Sequence, residues 1–173
     1  MKRLLALAGA FLVAATASAQ AWPDQPIRMV VGYAAGGTTD VAARLVGERL
    51  AARLGKPVVI ENVAGAGGNT GAALVAKAPA DGTTILMATP GQAVMNQFMY
   101  SRMPFDSATA FAPVAYIASV PSILVVSPTL GVTSTADFLA KMKARPEGAN
   151  FGSAGLGSTG HLGGTLLAMK TGL

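Results

Sequence analysis

The stretch Val30-Val31-Gly32-Tyr33-Ala34-Ala35-Gly36-Gly37-Thr38-Thr39-Asp40 constrains the fold of this chain more than any other. An apolar run enters it, a helical pattern leaves it, and two adjacent glycines, two hydroxyls and a carboxylate lie between. This is how a strand passes into a helix through a tight loop. Such a loop aims free backbone N–H groups and the positive end of the helix dipole at one point. The small residues Ala34, Ala35, Gly36 and Gly37 let a ligand approach the backbone, and Thr38 or Thr39 is placed to cap the helix or to bind with its hydroxyl. A capped βα turn with no ligand is the plain alternative, because short motifs of this kind recur by chance.

The same unit repeats. Ile27 to Gly32 reads as a near-continuous apolar strand of the kind buried on both faces of a parallel sheet. The following helix carries apolar residues at Val41, Leu45, Val46, Leu50 and Leu54, with Gly55 as its stop and Pro57 beyond it. Val58-Val59-Ile60 is a second strand, followed by the glycine-rich loop Glu61 to Gly71 and a helix through Leu74, Val75 and Lys77. Asp81-Gly82 marks a turn, Thr84 to Ala88 a third strand, and Thr89-Pro90-Gly91-Gln92 a third loop before a helical stretch near Val94 to Phe98. Strands alternating with helices through short connections predict an α/β fold with a parallel sheet, in which ligands bind outside the carboxyl ends of the strands. The apolar run Phe111 to Val126, broken by Pro113 and Pro121, is expected to form two strands passing from one domain to the next. A helix from about Ser134 to Ala144 follows, capped by Ser134 or Thr135 and ended by Pro146 and Gly148. A last glycine- and hydroxyl-rich loop, Asn150 to His161, opens a helix through Leu162, Leu166, Leu167 and Met169.

The first residues stand apart from this pattern. Lys2 and Arg3 precede an apolar run, Leu4 to Ala17, that falls short of the about 20 residues needed to span a bilayer. Ala17-Ser18-Ala19 supplies a small-x-small cleavage pattern, with Ala19-Gln20-Ala21 as the alternative. This predicts a secretory signal peptide over residues 1–19, alternatively ending at 21, and hence a periplasmic protein. Without Lys2 and Arg3 the chain has 11 basic and 8 acidic residues, a net charge of +3, and the basic residues are scattered rather than striped with aromatics. Nucleic acid is therefore not expected as a partner. An exported chain without cysteine rests on an ordinary core.

Catalytic groups are scarce. The chain has one histidine, His161, beside Ser158 and Thr159, and neither a G-x-S-x-G elbow nor a G-K-[ST] phosphate loop. No cofactor or metal is expected, and a capping or ligand-contacting His161 is favoured over a catalytic one; a periplasmic hydrolase or isomerase using Ser158 and His161 is the alternative. What remains is a pair of donor-rich loops, one in each half, suited to an anionic guest.

In order along the chain stand Trp22-Pro23-Asp24-Gln25-Pro26-Ile27, Gly36-Gly37-Thr38-Thr39-Asp40, Glu61-Asn62 with Gly65-Ala66-Gly67-Gly68-Asn69, Asp81-Gly82, Phe111-Ala112-Pro113-Val114, and Gly152-Ser153-Ala154-Gly155 with Gly157-Ser158 and His161-Leu162. Together they resemble the periplasmic solute-binding receptors of tripartite tricarboxylate transporters, the Bug-type receptors. The resemblance implies a periplasmic-binding-protein-like architecture of two Rossmann-like α/β lobes: a first lobe over 22–118, then crossover strands and the start of a second lobe over 119–173. It implies a monomeric, non-enzymatic receptor that closes on a small organic carboxylate and hands it to membrane permease subunits. It implies ligand contacts from Tyr33, Ala35, Gly36, Gly37, Thr38, Thr39 and Asp40, with help from Thr89 and Gln92, and from Gly155, Ser158, Thr159 and His161. Two features depart from the family: Ala34-Ala35 stands where a proline usually precedes the two glycines, and the chain ends at Leu173 where family members run on. The second lobe is therefore expected to be incomplete, with uncovered sheet edges, and an inactive truncation product is a further alternative.

Overall fold

The computed structural model describes residues 22–145 and 147–173. The expected signal segment and Pro146 lie outside the described residues. Three strands, β1 (Ile27–Val31), β2 (Val58–Asn62) and β3 (Thr84–Met87), form a parallel sheet in the order β2-β1-β3. The register runs from Ile27 opposite Val58 to Val31 opposite Asn62 on one side, and from Arg28 opposite Thr84 to Val31 opposite Met87 on the other. β1 is thus the central strand, and Ile27, Met29, Val30 and Val31 are all buried, as its continuous apolar run requires.

Successive side chains of β1 point to opposite faces, and a helix covers each. Helix α1 (Thr38–Leu54) packs on β1 and β2, where Met29, Val31, Ala43 and Met87 form a core joined by Tyr33, Val46, Leu50, Val58, Ile60 and Ile85. Helix α2 (Asn69–Ala76) packs on β1 and β3, with buried Ala72 on this side. The face that α1 buries is narrower than its apolar pattern suggests. Asp40, Ala43 and Gly47 are its buried positions, whereas Val41 and Leu45 are exposed. Gly47 explains the close approach: a Cβ there would lie 3.0 Å from Ile60 Cδ1. Gly55, in the left-handed conformation, ends α1 as expected.

After β3 the chain makes a π-helical turn, Gly91–Met95, and a 3-10 turn, Asn96–Phe98, in place of the single helical stretch expected near Val94 to Phe98. The expectation of two strands within Phe111 to Val126 is not met: no residue there is in a strand. Val114, Tyr116, Ile123 and Val125 are 79–90% exposed. A strand exists only by pairing, and none of the three described strands pairs with this segment. Helices α3 (Thr135–Lys143) and α4 (Thr159–Thr171) complete the described chain. Ser134 caps α3, its Oγ accepting from the Asp137 N–H, and Ser158 caps α4, its Oγ accepting from the His161 N–H. Among the described residues no helix is long and apolar enough to cross a membrane.

Candidate functional site

The loops that follow β1, β2 and β3 share the carboxyl edge of the sheet, and the β1 loop keeps its surface open. Ala34 to Thr38 are exposed, and a Cβ built at Gly36 would meet nothing within 4 Å. The N-cap of α1 is Gly37 and carries no side-chain cap, so the helix begins at Thr38 without the hydroxyl cap expected from Thr38 or Thr39. First-turn N–H groups of α1 thus face the edge with no side chain covering them.

Asp40 plays a different part. It is buried, and its carboxylate is divided among three donors: Oδ2 accepts from the Gly36 N–H at 2.9 Å and from Arg44 Nε at 3.0 Å, and Oδ1 accepts from Asn62 Nδ2 at 3.0 Å. The Arg44 guanidinium and then the Gly36 N–H hold its carboxyl well below the usual range, at about 2. Asn62 Nδ2 also donates to Tyr33 O, which ties the β2 end to the first loop. Asp40 therefore shapes the loop from behind, and its charge is compensated within the protein.

Thr89 and Gln92 join the loops. Gln92 is fully buried; its Oε1 accepts from the Thr89 N–H at 2.8 Å and from Thr89 Oγ1 at 2.9 Å, and its Nε2 donates to Gly68 O at 3.2 Å. Gly32, Gly68 and Gln92 interlock without room for side chains, since a Cβ at either glycine would lie 2.2 Å from Gln92 Nε2. The glycines of the second loop are thus required by packing. Tyr33 connects the first loop to the same cluster: its Oη stands 3.2 Å from Gly67 O and 3.0 Å from Thr89 Oγ1.

The loop before α4 docks onto this cluster. Tyr100 Oη donates to Leu156 O at 2.8 Å, and a Cβ at Gly67 would lie 2.1 Å from that same carbonyl. A Cβ at Gly157 would lie 2.0 Å from Asn96 Oδ1, and one at Gly91 2.6 Å from Gly157 O. Asn96, fully buried, donates from Nδ2 to Asn69 Oδ1 and to Gly67 O. Ser158 is buried and engaged with the His161 backbone, and the imidazole lies beside Phe151 with centroids 6.3 Å apart. Thr159 is exposed at the start of α4. The structure thus brings Tyr33, Thr89, Gln92 and the Gly155–Ser158 loop into one cluster and leaves Ala35, Gly36, Gly37 and Thr38 as an open face beside it. Asn96 and Tyr100 were not singled out by sequence reasoning. Their signal was there: Gln92, Asn96 and Tyr100 recur every four residues, a polar stripe at helical spacing.

Comparison with known proteins places this geometry. Residues 42–173 match the tripartite tricarboxylate transporter family receptor model, TctC. The chain belongs to that family. BugT of Bordetella pertussis is 38% identical to this TctC-family chain over 177 residues, covering 99% of the chain and 54% of BugT. A protein from the tcbD-tcbE intergenic region of Pseudomonas sp. strain P51 is 39% identical over 169 residues, covering 95% of this chain and 50% of that one. The TctC-family chain spans about half the length of these curated relatives. Among solved structures, R. palustris Rpa4515 with adipate aligns with a TM-score of 0.85 at 44% identity, over 88% of this chain and 51% of that one. MatC of Rhodopseudomonas palustris with bound malate aligns at 0.78 and 30% identity, over 88% and 52%. The α/β, periplasmic-binding-protein-like fold expected from the sequence is the fold of these relatives.

Proposed function

We propose that the full-length protein is a periplasmic solute-binding receptor that captures a small organic carboxylate and delivers it to the membrane permease of a tripartite transporter. The observation that carries the reading is the open face at the start of α1. Its first-turn N–H groups have no side-chain cap, the residues before them are small and exposed, and the nearby carboxylate of Asp40 is already held by Arg44, Asn62 and the Gly36 N–H. A second anion meets donors there without an unscreened like charge. Relatives of the same fold hold adipate and malate, which supports a dicarboxylate as the solute. Export by the segment at 1–19, a lobe boundary near 118, a monomeric state and the absence of catalysis belong to the same reading.

The test is isothermal titration of the full-length protein with dicarboxylates. Thr38 is exposed and makes no cap, so Thr38→Ala is expected to leave the thermal midpoint in place and to weaken the solute by about 1 kcal/mol, roughly fivefold. Binding of neutral sugars with no response to any carboxylate would refute the reading.

A further inference from the structure

The loop that leads into the open face of α1 is gripped near both of its ends by one side chain from β2. Ala34 to Gly37 are exposed and carry no side chain larger than a methyl, so packing does little to order them. Hydrogen bonds supply that order instead. At the loop's start Tyr33 O accepts from Asn62 Nδ2 at 3.1 Å, and near its end the Gly36 N–H donates to Asp40 Oδ2 at 2.9 Å. Asn62 Nδ2 also donates to Asp40 Oδ1 at 3.0 Å. The same amide therefore holds the loop's start directly and its end through Asp40.

The orientation of that amide is over-determined. A carbonyl and a carboxylate both demand its nitrogen and take the two protons it has, while Arg44 Nη2 donates to Oδ1 at 3.3 Å. The Asn62 amide nitrogen has no proton left for a solute. The Gly36 N–H is likewise spent on Asp40, which leaves the first-turn N–H groups of α1 as the donors of the open face. Asn62 itself stands on a fixed support. It ends β2 opposite Val31, and the N–H of the next residue, Val63, donates to Val31 O at 2.8 Å. Sheet, amide, carboxylate and loop thus form one continuous set of contacts.

We infer that Asn62 is a positioning residue of the carboxylate site: it sets solute affinity without touching the solute, by fixing the loop in the shape that exposes the first-turn N–H groups of α1. This rests on the carboxylate reading above. A loop ordered before binding loses little freedom when the solute arrives, whereas a released loop must be ordered at the expense of affinity. Leucine is close to asparagine in size and neither is charged. Asn62→Leu therefore removes the grip without altering the long-range field at an anion site.

The experiment reads loop order and affinity separately in the full-length protein. Amide hydrogen exchange at Gly36, followed by NMR without solute and taken relative to the amides of β1, reports the Gly36–Asp40 bond apart from global opening. Calorimetric titration with a panel of dicarboxylates that includes adipate and malate reports affinity. Asn62→Leu is expected to speed the relative Gly36 exchange at least about tenfold and to weaken the bound dicarboxylate at least about tenfold. Arg44→Gln, an exposed change that withdraws a donor from Asn62 Oδ1 and from Asp40 Oδ2, is expected to do both by about threefold, also in high salt where long-range charge is screened. The control is Glu61→Gln, next to Asn62 on the same strand but on the opposite face, where it loses its ion pair with Arg28. It is expected to lower the thermal midpoint and to leave relative Gly36 exchange and affinity within about twofold of wild type, because lost stability alone does not change the loop of the folded protein. Asn62→Leu with wild-type affinity, or with weakened affinity and unchanged relative Gly36 exchange, overturns the inference while the carboxylate reading stands. Should Asn62→Leu not fold, Arg44→Gln decides by the same two measurements. A wild type that binds none of the panel refutes the carboxylate reading, and this inference with it.

Discussion

Replacing Gln92 with leucine removes the group that holds three loops together. The half-buried Thr89 N–H loses its partner, and the buried Gly68 carbonyl loses one of its donors. Each unmet group costs about 1–3 kcal/mol. The Thr89 hydroxyl can turn to Tyr33 and recover its bond, so it adds little. The backbone packs tightly at the Gly68 end of the amide, where a Cβ at Gly32 or Gly68 would lie 2.2 Å from Gln92 Nε2. The expected destabilisation is about 3 kcal/mol, which for a chain of this size lowers the thermal midpoint by roughly 6–12 °C. Urea unfolding followed by far-UV circular dichroism measures it. Gln97→Leu is the control: Gln97 is exposed, its side-chain amide donates to Val94 O one turn back, and the change is expected to stay within about 0.5 kcal/mol of wild type. If Gln92→Leu matched that control, the interlocked arrangement of Gly32, Gly68 and Gln92 would be wrong, and with it the view that the second glycine loop is required by packing.

Two further predictions concern the same edge. Asp40 titrates at about 2 in the folded chain against an ordinary 3.8, so its stabilisation is present above the ordinary value and is lost as pH falls toward about 2; urea midpoints of wild type are expected to drop across that window, and those of Asp40→Asn to start lower and drop less. Gly36 and Gly68 both have left-handed φ, +85° and +92°, but only Gly68 is enclosed. Gly36→Ala is expected to cost the conformational penalty alone, about 1–2 kcal/mol, whereas Gly68→Ala adds a collision with Gln92 and should cost clearly more; equal costs by denaturant titration would contradict the packing described.

Those predictions depend on contacts that no local pattern announces. The alternation of strands and helices, the stop at Gly55 and the cap at Ser134 were legible in the sequence, because each is decided by residues within a few positions of one another. Family membership was legible for a related reason: it rests on the order of many short motifs along the chain. The cap expected from Thr38 or Thr39 failed because Asp40, three residues into α1, reaches back to the Gly36 N–H once Asn62 and Arg44 hold it in place. Val41 and Leu45 lie on the apolar stripe seen in the sequence, yet the small residues Ala43 and Gly47 let β2 approach a neighbouring face instead.

What the sequence determined by itself was therefore the run of strands and helices from Ile27 to Met87 and the edge at which their loops meet: an apolar run that must be buried on both faces, glycines where the chain turns, and hydroxyls near helix starts. Tertiary structure alone decided which strand is central, that Gln92 and Asn96 are buried behind the loops, that Gly67 and Gly157 bring distant segments into backbone contact, and that Phe111 to Val126 has no partner strand among the described residues. The physical reason is range. Propensity and capping act over one turn, whereas strand order, hydrogen-bond satisfaction and proton direction depend on groups dozens of residues apart, which share no pattern until the sheet has brought them together.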